Sequence, residues 1–273
     1  MPSNLQTDRR ATTRQFASHA EAGVRTAYEL SGSGPALILM HGAEATRQMF
    51  DDLVPLLAGS FTVITYDQRD CGETSSPLRP STLGELAGDA DRLIRHLGFE
   101  RAHVFGSSFG GRVAQALALL HPEVVDRLVL GSTWPVPRSL VELNPAGVAR
   151  IARLRAELPQ SAQALAALFF TEPFLAERPE LRSFFARVKP SDDGAKRRAA
   201  AVASSVDADL STIAAPTLVL AGDADAVVPP GITLAMAGQI PNSRTAMLPG
   251  VGHATAMQAP ARVAAALLEF LLC

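Results

Sequence analysis

Short apolar runs alternate with stretches of helical character along most of this chain. The runs lie at 36–40, 61–66, 102–105, 125–130 and 217–220, with a weaker one at 244–248 and two short extended segments near 18–20 and 24–30. Helical patterns cover 46–57, 82–97, 109–120 and 261–272. A strand that is apolar along its whole length is buried on both faces, as in a parallel sheet covered by helices. The alternation therefore predicts an α/β fold with a mainly parallel sheet.

One long segment, residues 134–206, interrupts this alternation. It is rich in alanine, leucine and arginine, is punctuated by proline, and contains no convincing strand. We predict roughly three to five short helices here, inserted between two strands. Ligand sites in parallel sheets lie beyond the carboxyl ends of the strands. We therefore expect a core of residues 1–133 and 207–273, and a helical cap of residues 134–206 over the site.

Size and charge narrow the possible partners. The chain has 273 residues, of which 47% are hydrophobic, enough for one large domain with an insertion. The formal net charge of −2 favours neither nucleic acid nor an anionic membrane as a partner. The chain has neither a membrane-length apolar run nor the apolar core of a signal peptide, so we expect a cytoplasmic protein. Two cysteines, Cys71 and Cys273, are too few for a disulfide framework or a zinc site.

A glycine-flanked serine motif, G-x-S-x-G, occupies residues 106–110. An apolar run precedes it and a helix-forming segment follows, which is the setting of a nucleophile elbow. The serine at the apex must project from a strained turn, so the residues two positions away need to be nearly free of side chain. The following helix directs its free N–H groups at any oxyanion formed there. We therefore predict that Ser108 is a nucleophile.

A serine hydroxyl needs a neighbouring imidazole to accept its proton. Of the six histidines, His253 lies in a glycine-rich loop between a predicted strand and the final helix, which makes it the best candidate. The imidazole in turn needs a carboxylate to orient it. Asp223 and Asp225 both follow the run 217–220, and Asp223 could simply cap the turn there.

The third requirement is an oxyanion hole made of backbone N–H groups. One donor is expected to be Phe109, the residue after the nucleophile. The second is expected from the loop after the run 36–40, where Gly42 permits a tight turn and Ala43 supplies the N–H group. We expect His41 to brace this loop, and keep it as a candidate substrate-binding residue. This chemistry needs no metal and no organic cofactor.

Five segments in this order resemble the α/β-hydrolases, and in particular their capped esterases and lactonases. The segments are His41-Gly42, residues 66–75, residues 106–111, Gly222-Asp223-Ala224-Asp225 with Pro229, and Gly252-His253. The resemblance spans residues 24–272 and implies the α/β-hydrolase fold, a mostly parallel sheet of about eight strands with an inserted helical cap. The family pattern G-x-x-D-x-x-x-P selects Asp225 over Asp223, and the chain order serine, aspartate, histidine agrees with it. Residues 169–174 are similar to the cap of 3-oxoadipate enol-lactonases, and the Arg69-Asp70 pair is similar to one in methylesterases.

The resemblance implies a serine hydrolase that cleaves a carboxylic ester or lactone of a small, largely apolar molecule through an acyl-enzyme. The same triad could instead serve perhydrolysis, C–C bond hydrolysis or acyl transfer. A different class of function, a ligand-sensing module with slow hydrolysis, is also compatible with it. Serine at 108 argues against the dehalogenases and epoxide hydrolases, which use aspartate there. Residues 43–45 lack the glycine-rich run of the C–C hydrolases.

The cap is expected to determine the choice of substrate. Its aromatic residues are candidates to line the pocket, although packing inside the cap is an equal alternative for each. They are Trp134, Phe169, Phe170, Phe174, Phe184 and Phe185. Arginines of the cap are candidates to bind a substrate carboxylate, although a solvated helix face is their commoner role: Arg153, Arg155, Arg182 and Arg187. The sequence predicts neither the substrate itself nor the oligomeric state.

Overall fold

A single eight-stranded sheet organises the protein, in the order β1-β2-β4-β3-β5-β6-β7-β8. The computed structural model describes residues 15–43, 45–187 and 193–273. Its strands are β1 (Gln15–His19), β2 (Val24–Ser31), β3 (Ala36–Met40), β4 (Thr62–Tyr66), β5 (Ala102–Ser107), β6 (Val125–Gly131), β7 (Thr217–Gly222) and β8 (Ser243–Leu248). The pairs β1–β2 and β2–β4 are antiparallel, and the other pairs are parallel. The predicted mostly parallel sheet is confirmed.

Helices connect the strands. They are α1 (Val54–Leu57), α2 (Leu83–His96), α3 (Phe109–Leu120), α4 (Leu140–Leu143), α5 (Pro145–Ala156), α6 (Ala162–Phe169), α7 (Glu172–Glu177), α8 (Asp193–Ala203), α9 (Pro230–Leu234), α10 (Thr255–Gln258) and α11 (Pro260–Leu271). The single helix predicted over 46–57 is instead a 3-10 turn, Arg47–Phe50, followed by α1. Pro55 explains the break, because proline is tolerated in the first turn of a helix but not in its interior.

Both faces of the sheet are covered by apolar side chains. Along β3, Ile38 and Met40 join one cluster, which includes side chains of α2 and α3, while Leu37 and Leu39 join the other, which includes side chains of α11. Successive residues of a strand point to opposite faces. Burial on both faces explains why these strands read as continuous apolar runs.

Helix α2 begins at a capping box. The Thr82 hydroxyl accepts a hydrogen bond from the Glu85 N–H (3.2 Å), and the Glu85 carboxylate accepts one from the Thr82 N–H (3.0 Å). Two backbone N–H groups that lack partners within the helix are thereby satisfied. The same carboxylate pairs with the guanidinium of Arg79.

The helical insertion, residues 134–206, lies between β6 and β7 and carries α4 to α8. Its described residues contain no strand, in agreement with the sequence. Its apolar cluster, which includes Leu165 and Leu175, also takes in Val227, Val228 and Ala254. These three belong to the loops after β7 and β8, so the insertion packs onto the carboxyl ends of those strands.

Arg112 of α3 fastens both ends of this insertion to the core. Its wholly buried guanidinium donates to the carbonyl oxygens of Val136, near the start of the insertion, and of Val202, near its end (2.7 Å). It makes no ion pair with a carboxylate in the described part of the chain. Burial lowers the pKa of this group to about 10.

Across residues 15–43, 45–187 and 193–273, every helix falls short of the length and apolar content needed to cross a bilayer.

Candidate active site

Ser108 lies at the sharp turn between β5 and α3. Its backbone angles, φ 55° and ψ −120°, are rarely adopted by residues other than glycine. The flanking glycines allow this turn: a Cβ on Gly106 would lie 2.3 Å from the carbonyl oxygen of Gly110, and one on Gly110 would lie 2.1 Å from that of Met40. The Ser108 N–H is held by the carbonyl oxygen of Gly131 (2.8 Å). The turn thus has the strained geometry that a nucleophile elbow requires.

The structure brings Ser108, His253 and Asp225 together in one hydrogen-bonded chain. His253 Nε2 lies 2.9 Å from Ser108 Oγ, and His253 Nδ1 lies 2.8 and 3.0 Å from the two carboxylate oxygens of Asp225. The side chains of His253 and Asp225 are buried. Because Nδ1 faces a carboxylate, it carries the proton, and Nε2 is left to accept the serine hydroxyl proton.

Backbone groups hold the Asp225 carboxylate in place. Its Oδ1 accepts hydrogen bonds from the N–H groups of Val227 (2.9 Å) and Val228 (2.8 Å), in the turn after β7. Asp223 is used differently: its carboxylate is exposed and accepts the Gly250 N–H at 2.6 Å. Of the two aspartates that the sequence offers, only Asp225 therefore contacts the imidazole.

The loop after β3 passes close to the serine. A Cβ on Gly42 would lie 3.6 Å from the Cβ of Ser108. Within the described part of the chain, the N–H groups of Ala43 and Phe109 have no hydrogen-bond acceptor. Phe109 is the first residue of α3, where backbone N–H groups have no partner within the helix. Neither N–H group is thus used by an acceptor among the described residues.

His41 braces this loop through both of its ring nitrogens. Nε2 accepts the Gln68 N–H (3.0 Å), and Nδ1 lies 2.8 Å from the carbonyl oxygen of Gly42. The side chain of Gln68 also donates to the carbonyl oxygen of His41 (2.6 Å). The ring is wholly buried, and this burial lowers the pKa of His41. No ring nitrogen is left to bind a substrate.

Asp67 organises the segment after β4. Its carboxylate accepts the backbone N–H groups of Arg47 and Glu73, each at 2.9 Å, and pairs with the Arg47 guanidinium. Gly72 has φ +51°, and a Cβ there would overlap the carboxylate of Asp67. Residues 66–69 of this segment are buried, and through Gln68 they hold the loop after β3 against the core.

A cavity lies between the loop after β3 and the start of α3. Ala43 and Phe109 line it together with Gln68, Cys71 and Arg198. Burial raises the pKa of the Cys71 thiol to about 12, so the thiol is neutral at ordinary pH. Arg198 was not singled out from the sequence, because it lies in a polar helix far along the chain and reaches the cavity only through the fold.

Phe169 is the aromatic residue of the insertion that contacts the triad within the described structure. Its ring meets that of His253 edge to face, with centroids 5.4 Å apart, and its carbonyl oxygen accepts the Ala254 N–H (3.0 Å). Trp134 and Phe170 are buried in the cluster of the insertion, and half-buried Phe174 stacks on Phe170.

The remaining candidates lie elsewhere. Phe185 packs on Phe169, and Phe184 is 40% exposed. Arg153 is exposed, and Arg182 pairs with Glu172 at the surface. Arg155 is half-buried on α5 and does not line the cavity. The side chain of Arg187 lies outside the described residues.

The chain matches known proteins over most of its length. A sequence model described as the alpha/beta hydrolase fold matches residues 35–260. The chain is 32% identical over 260 residues to RutD of Caulobacter sp. (strain K31), a protein assigned as a carbamate hydrolase, covering 89% of this chain and 94% of that protein.

Solved structures agree with the fold. The thermophilic esterase of Thermogutta terrifontis is 29% identical, with a TM-score of 0.81 over 95% of this chain and 98% of the esterase chain. The enol-lactonase of Burkholderia xenovorans LB400 is 24% identical, with a TM-score of 0.80 over 95% of this chain and all of that chain, and its likeness concerns the fold alone.

Proposed function

Because the chain belongs to the α/β-hydrolase family and is a hydrolase, we propose that it is a serine hydrolase of small carboxylic esters or lactones. One observation carries the proposal: the continuous chain of hydrogen bonds from Ser108 Oγ through His253 to the Asp225 carboxylate. This arrangement supplies a nucleophile, a base and an orienting acid at bonding distance.

In the proposed mechanism, His253 Nε2 takes the proton of Ser108 as Oγ attacks the substrate carbonyl carbon. The N–H groups of Ala43 and Phe109 bind the oxyanion, and the Asp225 carboxylate stabilises the imidazolium. The imidazolium then protonates the leaving alcohol. Water attacks the acyl-enzyme with His253 again as the base, which releases the acid and restores Ser108.

The preference for esters has support from a relative. The thermophilic esterase shares 29% identity and nearly the whole fold with this chain. A carbamate is a second candidate substrate class, because RutD is 32% identical over 94% of its own length. Both classes present a carbonyl carbon to a serine nucleophile and an oxygen to an oxyanion hole.

We further propose that the helical insertion is a cap, residues 134–206, on a core of residues 1–133 and 207–273. Its contacts with Val227, Val228 and Ala254 support this division, since these residues adjoin Asp225 and His253. Perhydrolysis, C–C bond hydrolysis and acyl transfer would use the same triad. Competition among water, peroxide and alcohols for the acyl-enzyme, followed by product analysis, separates perhydrolysis and acyl transfer from simple hydrolysis. C–C bond hydrolysis is recognised by the bond of the substrate that is broken.

The test is the hydrolysis of p-nitrophenyl esters, a lactone and a carbamate by the wild type, Ser108→Ala and Ser107→Ala. We expect Ser108→Ala to lose more than about a thousandfold in kcat, since removal of a triad nucleophile costs more than that. Ser107→Ala is the matched control, because its hydroxyl is buried with no partner within the described structure. Retention of the wild-type rate by folded Ser108→Ala would disprove the mechanism.

A further inference from the structure

The side-chain amide of Gln258, at the end of α10, uses all of its hydrogen-bonding capacity. Its Oε1 accepts the N–H groups of Gly252 (3.0 Å) and Thr171 (3.2 Å). Its Nε2 donates to the carbonyl oxygen of Gly250 (3.0 Å) and to the Thr171 hydroxyl (2.6 Å). An amide has two donor hydrogens and one oxygen with two lone pairs, so this set is complete.

These bonds join two parts of the chain that are distant in sequence. Gly250 and Gly252 belong to the turn that precedes His253, whereas Thr171 lies in the helical insertion at the junction of α6 and α7. Gln258 and Thr171 are 87 positions apart. The amide therefore ties the turn that precedes His253 to the insertion.

His253 is held from both sides at this junction. The N–H before it, on Gly252, is bound by Gln258, and the N–H after it, on Ala254, is bound by the carbonyl oxygen of Phe169. The fit is close, because a Cβ on Gly252 would lie 2.7 Å from that carbonyl oxygen. Residues 169–171 and Gln258 thus hold the backbone on both sides of His253.

The turn is also held by Asp223, whose carboxylate accepts the Gly250 N–H (2.6 Å), and by the Val251 carbonyl oxygen, which accepts the Ala224 N–H (3.0 Å). The turn contains two glycines, and Gly250 has φ +69°, which other residues adopt only with strain. A reacting group that is misplaced by about 1 Å can lose about a hundredfold in rate. The position of Nε2 relative to Ser108 Oγ therefore depends on the bonds that hold the turn.

We propose that Gln258 is a positioning residue for His253, which acts by bonding the turn at Gly250 and Gly252 to Thr171 of the insertion. The inference rests on the proposed function of Ser108 and His253. Gln258 itself touches neither the nucleophile nor the base. The position of the insertion therefore affects the geometry of the triad. A displacement of Thr171 moves the turn before His253 and, with it, the imidazole.

The first experiment compares the ester hydrolysis of Gln258→Leu and Gln258→Glu with that of the wild type, well below the unfolding temperature of each. We expect Gln258→Leu to lower kcat about 10- to 100-fold with KM changed by less than about threefold, because substrate contacts are untouched. Gln258→Glu recovers part of kcat, since a carboxylate still accepts both N–H groups and the Thr171 hydroxyl but cannot donate to the Gly250 carbonyl oxygen. Gln239→Leu is the matched control at an exposed glutamine.

The second experiment tests the same hydrogen bond by changing Thr171, and it decides the question if Gln258→Leu does not fold. We expect Thr171→Val to lower kcat and Thr171→Ser to keep it, since only serine preserves the hydroxyl. We also expect the double variant with Gln258→Leu to be no worse than Gln258→Leu alone, because both changes remove one interaction.

An unchanged kcat in both Gln258→Leu and Thr171→Val, or losses confined to KM, would overturn the inference while leaving the proposed function intact. If turnover does not depend on Ser108, the proposed function is wrong, and the inference that rests on it is wrong as well.

Discussion

Arg112 and Val202 are joined by a hydrogen bond of 2.7 Å, although they stand 90 positions apart in the chain. The same guanidinium holds the carbonyl oxygen of Val136, so one side chain of α3 closes the two ends of the helical insertion on the core. Helix α3 also begins directly after Ser108. Helix α3 thus carries the nucleophile at its start and, one turn later, the arginine that attaches the insertion to the core.

We expect Arg112→Met to lower the free energy of unfolding by about 2 kcal/mol, because it leaves the carbonyl groups of Val136, Val202 and Arg138 without this donor. Part of this loss of stability is offset, because methionine, unlike arginine, carries no charge that must be desolvated on folding. Arg138→Met is the control, since that guanidinium is exposed and pairs with exposed Glu142, and it should change stability by no more than about 0.5 kcal/mol. Urea denaturation measures both, and equal midpoints for the two variants would contradict the assigned role of Arg112.

The two aspartates after β7 should differ sharply in their effect on catalysis. We expect Asp225→Asn to lower kcat about 10⁴-fold with the fold intact, since an amide favours the wrong imidazole tautomer. Asp223→Asn keeps an oxygen that can accept the Gly250 N–H, so its kcat should stay within about tenfold of the wild type. Steady-state kinetics on one ester checks both, and a larger loss in Asp223→Asn would reverse the assignment.

Substitution of glycine by alanine should be tolerated at Gly231 and not at Gly110. A Cβ at Gly110 would lie 2.1 Å from the carbonyl oxygen of Met40, whereas one at Gly231 meets no atom within 4 Å. We expect Gly110→Ala to lose about 3 kcal/mol or more of stability through overpacking against backbone. Gly231→Ala should change stability by less than about 1 kcal/mol. Thermal unfolding of both variants provides the measurement. A Gly110→Ala variant as stable as the wild type would contradict the prediction.

The capping box of α2 should make stability depend on pH in the acid range. The hydrogen bond from Arg79, together with that from the Thr82 N–H, lowers the pKa of Glu85 to about 2 from its usual 4.5. The folded state therefore favours the carboxylate, and its stabilisation is complete above pH 4.5 and lost as the pH falls towards 2.

The measurement is the free energy of unfolding of the wild type and of Glu85→Gln across this range. We expect a difference of about 1 kcal/mol at neutral pH, because the group is partly exposed, and a difference near zero at pH 2. Glutamine keeps the capping bond, so the variant isolates the charge. In an Arg79→Met background the difference at neutral pH should shrink, and a full difference there would assign the effect to another group.

The buried strands could be predicted because a parallel strand inside this sheet is apolar along its whole length. Strand β1 is harder to place, because only Ala17 of its five residues is buried; the sequence predicts its start three residues further along the chain. The break between the 3-10 turn at Arg47–Phe50 and α1 was missed, since the apolar pattern continues through Pro55.

Ser108, Asp225 and His253 could be named from the sequence because their chemistry restricts the residue types, and their loops carry glycines at fixed spacing. The roles of Gln258, Arg198 and Arg112 could not. Arg112 and Arg198 donate to the backbone carbonyl oxygens of Val202 and Asp70, and Gln258 accepts the backbone N–H of Thr171. Every residue type carries such backbone groups, so the sequence gives no sign of these contacts. For the aromatic residues the sequence offers packing inside the insertion and a place in the pocket as equal alternatives, since Trp134 and Phe170 are as suited to the cluster of the insertion as to a ligand site.

The backbone angles of Ser108 bear on how far this protein can be stabilised. Glycine is the residue that adopts a positive φ with least strain, so Ser108→Gly would relieve the turn. Glycine carries no hydroxyl, however, and the relieved protein would have no nucleophile. At this one position, selection for a more stable fold and selection for turnover act in opposite directions. A search for thermostable variants should therefore return inactive ones at residue 108, and they would report the strain of the wild-type turn.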